Sequence, residues 1–202
     1  IASLLWLYHQ GGMEDTYGRT EKWDPAMKRP LDSYMKEAVD KGWQLQPKDR
    51  PRIFIEAGGN ILRRLRAFDK VADRLLPALD LMVTIDWRMS NTALHSDYVL
   101  PAAAWYEKDD ITWATPLSPF SQVITRAAEP IAEAKPDWEI YCLLLKAIQR
   151  RAAARGITHF RSRHGEERSF DVYDEFTFGG RYHENNVDEF LDTAEKVIFD
   201  IS

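Results

Sequence analysis

Three stretches of this chain bring together residue types that could hold a nucleotide. In Gly58-Gly59-Asn60, two glycines let the backbone approach a phosphate or a flat ring, and an asparagine can hydrogen-bond a base or a phosphate. The same three residues would equally make a tight turn, and Gly-Gly-Asn alone is a weak signal. In Ile85-Asp86-Trp87-Arg88-Met89-Ser90, a carboxylate follows an apolar run and can accept two hydrogen bonds from a guanine or ribose edge. Capping the following turn is the competing use of Asp86. Ser90, Thr92 and Ser96 add hydroxyls nearby, a type that more often caps local backbone. Lys108 could neutralise a phosphate, although a solvated lysine is the commoner case.

Other reactive types carry less. His95-Ser96-Asp97 has the composition of a hydrolytic triad, but triads assemble from distant segments, not from neighbours. Asp109-Asp110 point apart on most backbones and read as a turn. Cys142 falls inside a helical pattern on its apolar side, where a thiol is inert. Histidines at 9, 95, 159, 164 and 183 never pair at metal-ligand spacing, and one cysteine excludes an internal disulfide. No metal site is expected.

The elements that must position these groups follow from periodicity. Leu81-Met82-Val83-Thr84-Ile85 is a continuous apolar run with Asp80 before it, the mark of a fully buried parallel strand. Arg52-Ile53-Phe54-Ile55-Glu56-Ala57 is a second buried strand, and Ile61–Lys70 between them reads as a basic amphipathic helix carrying Arg63, Arg64 and Arg66. Strand, glycine turn, helix and strand make one β-α-β unit. Both candidate turns then lie at the carboxyl ends of the strands, where open parallel sheets bind ligands.

Elsewhere, Ile1–Tyr8 is a strand or helix end running into a turn at His9–Gly12, and residues 13–30 are loop. A helix capped by Asp32 or Ser33 runs to about Lys41, with Gly42 at its end and Lys36, Glu37 and Lys41 facing water. Asn91–Asp97 forms one or two helical turns, and Tyr98-Val99-Leu100 is a short strand stopped by Pro101. Residues 109–136, with prolines at 116, 119, 130 and 136, read as an ordered loop. Asp137 caps a helix to about Arg155, with Trp138, Tyr141, Leu144, Leu145 and Ile148 on its apolar face. Residues 157–186 read as irregular with a turn at Gly179-Gly180, and Val187 to about Ile201 as a final helix.

The chain has 202 residues, 45% hydrophobic and 29% charged, with a net charge of -5. That is a globular composition, and a net negative chain without a basic block disfavours nucleic acid. Ile1 is not a methionine, and both ends look like cuts in something longer. The fold class expected is α/β, a mainly parallel sheet with helices on both faces, Rossmann-like and dinucleotide-binding. Its divisions are a connecting segment over 1–50, a cofactor-binding domain over 51–156 and a tail with a helix over 157–202.

Asp86–Ser90, Ser96-Asp97-Tyr98-Val99-Leu100-Pro101-Ala102-Ala103 and Trp105-Tyr106-Glu107-Lys108 together resemble the large catalytic subunit of the dimethyl sulfoxide reductase family of molybdenum enzymes. With Glu133-Ala134-Lys135-Pro136-Asp137-Trp138-Glu139, the resemblance is to the branch holding membrane-bound nitrate reductase. That branch also holds selenate, chlorate and perchlorate reductases, dimethyl sulfide and ethylbenzene dehydrogenases and steroid side-chain hydroxylases. The resemblance implies two molybdopterin guanine dinucleotides on molybdenum. It implies cofactor contacts from Asn60, Ile85, Asp86, Lys108 and Asp137, with Ile85 and Asp86 on the guanosine; Gly58, Gly59, Arg88, Ser90 and Thr92, from the same two turns, complete the candidate cofactor-binding set. It also implies a parent subunit with a [4Fe–4S] cluster and metal ligand outside this stretch, an iron–sulfur partner subunit and a heme subunit. The parent would be periplasmic or membrane-associated through those partners. Reduction of nitrate or a related oxyanion in anaerobic respiration is the implied activity. Dehydrogenation or hydroxylation of a hydrocarbon, sterol side chain or dimethyl sulfide is the alternative within the branch. A non-catalytic homologue and a nicotinamide dehydrogenase are the rivals outside it, the latter disfavoured because no Gly-x-Gly-x-x-Gly follows a strand.

Overall fold

A computed structural model describes residues 25–26, 29–43, 51–65, 68–112, 122–162, 165–186 and 189. The expected elements at Ile1–Tyr8, His9–Gly12 and Val187–Ile201 therefore lie outside the described residues, apart from Glu189, as does Arg66. The chain divides into two compact units, Ile1–Val99 and Leu100–Ser202.

The first unit is mixed helix and sheet. Helix α1, Leu31–Asp40, begins at Pro30 and not at the expected Asp32 or Ser33 cap; no side chain caps it. Proline suits this position because its fixed φ leads into the first turn and it has no N–H to leave unpaired. Lys41 closes the helix, and Gly42 follows at φ +71°, the left-handed end that glycine favours. Lys36 and Lys41 do face water, while Glu37 is held between Arg29 and Lys41.

Strand β1, Ile53–Ala57, pairs in parallel with β2, Leu81–Asp86, in the register Ile53 to Leu81 through Ala57 to Ile85. Strand β3, Tyr98–Pro101, completes a sheet of order β1-β2-β3. Pro101 is thus the last residue of its strand, not a stop before it. The central strand is as buried as its apolar run predicts, Met82 to Asp86 all lying inside. Strand β1 is not. Ile53 and Ile55 are 59% and 46% exposed, because β1 is an edge strand in this sheet and its alternate side chains stand on an open face.

The connection between them departs from the single helix expected. Helix α2, Ile61–Arg64, ends when Leu65 turns extended. Helix α3, Phe68–Lys70, then runs into a π-helical turn at Val71–Leu75 and a tighter turn at Leu76–Ala78. The breaks let Leu62, Val71 and Leu75 meet in one buried cluster, packed round by Leu31, Met35, Ile61 and Leu79. That cluster holds the connection against the α1 side of the unit.

The second unit is built on α4, Asp137–Ala154, with Gly156 at φ +72° beyond its end. Short antiparallel pairs flank it: β4, Asp110–Thr112, with β5, Gln122–Ile124, and β6, His159–Arg161, with β7, Glu167–Ser169. Both fall in stretches expected to be irregular; strands of three residues are too short to show a period. Helix α5, Val172–Phe176, packs on α4, with Trp138 stacked on Phe176 at 4.8 Å between ring centres. The buried face of α4 is Ile140, Cys142 and Ala152, whereas Ile148, expected inside, is exposed. Cys142 is fully buried and its thiol is pushed up to about 11 by that burial, so it is inert. Gly179 and Gly180 make the expected turn, both at positive φ. Among the described residues no helix is long and apolar enough to cross a membrane.

Candidate functional site

The carboxyl ends of β1 and β2 open into a cavity of about 720 Å³. Gly58-Gly59-Asn60 forms one wall, Asp86–Asn91 another, and Arg63 and Arg64 a third. Its lining holds three arginines, Arg63, Arg64 and Arg88, against one carboxylate, Asp86. The cavity is therefore cationic in a chain of net charge -5.

Local geometry explains each wall. Gly58 sits at φ +62° and donates its N–H to Ile85 carbonyl at 2.9 Å, so the turn is stitched to the end of β2. Only glycine adopts that φ without cost. A side chain at Gly59 would overlap the Glu56 carboxylate. Burial pushes Glu56 upward in pKa, the nearby Asp86 charge adds to that, and Arg64 opposes it. Asn60 starts α2, and its carbonyl accepts from both Arg63 and Arg64 N–H at 3.0 Å. One helical turn thus brings both arginines back beside the glycines.

Asp86 is 8% exposed. Its Oδ1 accepts the N–H of Trp87 at 2.8 Å and of Arg88 at 3.3 Å, closing the turn after β2. That leaves Oδ2 without a partner among the described residues. Both expected uses of this carboxylate are therefore open at once. Arg88 lies over the Trp87 ring at 4.1 Å, which braces its guanidinium at the rim.

The hydroxyls are occupied inside the protein. Ser90 Oγ accepts the Ala93 N–H at 3.2 Å, a local cap. Thr92 is fully buried; its Oγ1 accepts the Leu62 N–H at 3.2 Å and donates to Asn60 Oδ1 at 3.0 Å. Ser96 bonds Thr84 and the Thr92 carbonyl, His95 Nδ1 bonds the Asn91 carbonyl, and Asp97 Oδ2 accepts the Met82 N–H. His95-Ser96-Asp97 is a set of braces and no triad.

Lys108 and Asp137 belong to the second unit. Lys108 is buried, pairs with Asp110 at 2.9 Å and with Asp137, and lies 5.1 Å from the Trp105 ring centre. Burial alone would lower its pKa; hydrogen bonds to Asp137 and then Asp110 outweigh it, and the ammonium is held above its ordinary value. Asp137 is the first residue of α4, not its cap, which is Pro136. Its carboxylate serves Lys108. Asp109 and Asp110 do diverge: Asp110 joins Lys108, while Asp109 Oδ1 accepts the Arg126 N–H at 2.7 Å.

Sequence reasoning placed Arg63 and Arg64 on a helix but not at the site, and missed Asp110 as the second partner of Lys108. The spacing held the signal for the arginines, since they follow Asn60 by three and four residues, one turn. The donor set of the cavity fits a ligand with an anion at one end and an N–H edge at the other: guanidiniums and backbone amides for the first, Asp86 Oδ2 for the second.

Comparison with known proteins places the chain in a family. The family profile described as molybdopterin oxidoreductase matches residues 64–147. The chain is 34% identical over 191 residues, 87% of its length, to the respiratory nitrate reductase subunit alpha of Haloferax mediterranei, of which it covers 18%. It is 36% identical over 151 residues to the dimethylsulfide dehydrogenase subunit alpha of Rhodovulum sulfidophilum, 74% of this chain and 16% of that subunit. Over 68 residues, 34% of this chain and 5% of the relative, it is 50% identical to respiratory nitrate reductase 1 alpha chain of Escherichia coli. The chain spans less than a fifth of the length of these relatives. It belongs to the molybdopterin oxidoreductase family, in its nitrate-reductase-like branch.

Proposed function

We propose that this chain is part of the catalytic subunit of a molybdenum oxidoreductase and holds the guanosine and pyrophosphate end of one molybdopterin guanine dinucleotide. The observation that carries the reading is the single cationic cavity joining Gly58–Asn60 to Asp86–Asn91 at the ends of two parallel strands. Asp86 Oδ2 would accept from the guanine edge; Arg63, Arg64, Arg88 and the Gly59 and Asn60 amides would take phosphate oxygens. Ile85 and Ser90 act as framework, the first by its carbonyl, the second by its cap on Ala93. Lys108 and Asp137, bound to each other in the second unit, remain candidate cofactor contacts through the protons and oxygen left over. On this reading residues 51–156 are the cofactor-binding segment, and the sheet is part of a mainly parallel, Rossmann-like one with helices on both faces.

The cofactor supplies the redox chemistry when bound; this chain binds and orients it. The parent would carry two such dinucleotides on molybdenum, with a [4Fe–4S] cluster elsewhere in the subunit. Its substrate would be nitrate or a related oxyanion such as selenate or chlorate, used in anaerobic respiration. Electrons would come through an iron–sulfur subunit and a heme subunit, at the membrane or in the periplasm. The likeness to a dimethylsulfide dehydrogenase subunit favours a second reading, in which the parent oxidises dimethyl sulfide, a hydrocarbon or a sterol side chain.

The test is made on the full-length parent purified without oxygen. Molybdenum by mass spectrometry and acid-released GMP on the same sample should give about two GMP per molybdenum. No molybdenum and no GMP, from a host that makes the cofactor, would leave a non-catalytic homologue.

A further inference from the structure

We propose that Thr92 is a positioning residue that locks the Asn60 side-chain amide in one orientation, so that the cavity presents N–H donors at its glycine corner. This rests on the guanine dinucleotide reading and deepens it.

The cap of α2 is not where it should be. Asn60 starts α2, and an asparagine there ordinarily accepts an N–H of the first turn with its own side chain. Here it makes no such bond. The Leu62 N–H goes instead to Thr92 Oγ1, thirty residues along the chain. Asn60 is thereby released from capping.

Thr92 then decides which way the released amide faces. A hydroxyl has one proton and two lone pairs. One lone pair takes the Leu62 N–H at 3.2 Å, and the proton goes to Asn60 Oδ1 at 3.0 Å. Turning the amide over would set Nδ2 against Oγ1 and take from the hydroxyl proton the Asn60 oxygen that accepts it. Thr92 is 0% exposed, so water cannot replace the lost bond. The amide stays with its oxygen on Thr92, which leaves its two N–H donors for the cavity that Asn60 lines.

The cavity is polarised as a result. Asn60 can only donate at one corner, and Asp86 Oδ2 can only accept at the other. A ligand atom at Asn60 must be an acceptor, such as a phosphate oxygen. A fully buried threonine thereby sets the direction in which a nucleotide lies.

The experiment uses the full-length parent, purified anaerobically, with GMP released per subunit after gel filtration and the thermal midpoint measured together. Thr92→Val keeps the shape but removes both the proton and the acceptor of the Leu62 N–H, so the midpoint should fall; it should also retain roughly threefold to tenfold less GMP, the weight of one neutral hydrogen bond. Thr92→Ser keeps the hydroxyl and should restore retention. Asn60→Asp keeps an oxygen for Thr92 but removes the donors, and should lose at least as much GMP with little change in midpoint. The proposal is overturned if Thr92→Val lowers the midpoint yet keeps its GMP, if Thr92→Ser fails like valine, or if Asn60→Asp keeps full GMP. Should Thr92→Val not fold, the Asn60→Asp result decides alone. Full retention in Asp86→Ala as well would overturn the nucleotide reading together with this inference.

Discussion

Asp86 divides its work between two oxygens, and a substitution can separate them. In Asp86→Asn the Oδ1 that closes the Trp87–Arg88 turn survives, while the outward acceptor becomes a donor. The thermal midpoint of the parent should stay near wild type, and retained GMP should fall roughly tenfold to a hundredfold, the range for a hydrogen bond to a charged group. An equal fall in both would mean that the carboxylate is only a turn device. Gly58 offers a contrasting case. Nothing lies within 4 Å of a Cβ placed there, so Gly58→Ala has room and pays only in backbone strain at φ +62°. It should destabilise the fold by about 1 kcal/mol, read as a lower denaturant midpoint at unchanged slope. Lys108→Ala should cost more, about 2 kcal/mol, because it strands Asp110 and Asp137 around a buried vacancy. The Lys108 contribution is complete below the ordinary lysine value of 10.5 and fades only as pH rises through its higher folded value.

Elements were legible in proportion to the length of their pattern. The five-residue apolar run of β2 announced a strand buried on both sides, and it is one. The same reasoning overstated β1, since an apolar run cannot say whether its strand is central or at an edge. Ile61–Lys70 had helical spacing, but closing the Leu62–Val71–Leu75 cluster required an extended Leu65 and a π-helical turn, which no local propensity encodes. The walls of the cavity were readable because glycines and an acidic strand end mark turns. Thr92 as the partner of Asn60 and Asp137 as a partner of Lys108 were not, since they lie 32 and 29 residues away and only the folded chain brings them close. Element packing also predicts behaviour in acid. Glu184 takes Lys146 from α4 at 2.5 Å and the Tyr173 hydroxyl from α5 at 2.7 Å. Hydrogen bonds to Lys146 and then Tyr173 hold its carboxyl down to about 2 from 4.5. Its stabilisation is complete above 4.5 and is lost as pH falls through about 2. Glu184→Gln should therefore lower the denaturant midpoint at pH 7 and matter progressively less below pH 4.5.

These 202 residues are net negative while their cavity is lined by cations, so an anionic ligand there would be held by a local field that salt can screen. Raising ionic strength during gel filtration should strip more GMP from Arg88→Ala than from the wild-type parent, because fewer cations then share the anion. The uncovered side of β1 has a consequence of a different kind. A strand edge with two exposed isoleucines invites another strand to add to it. Produced by themselves, these 202 residues should self-associate as concentration rises, with light scattering as the readout. Ile55→Lys, a gatekeeper charge in mid-strand, should keep them dispersed without touching the cavity. A nascent parent with this edge bare would be a substrate for chaperones and for aggregation until later segments or partners covered it.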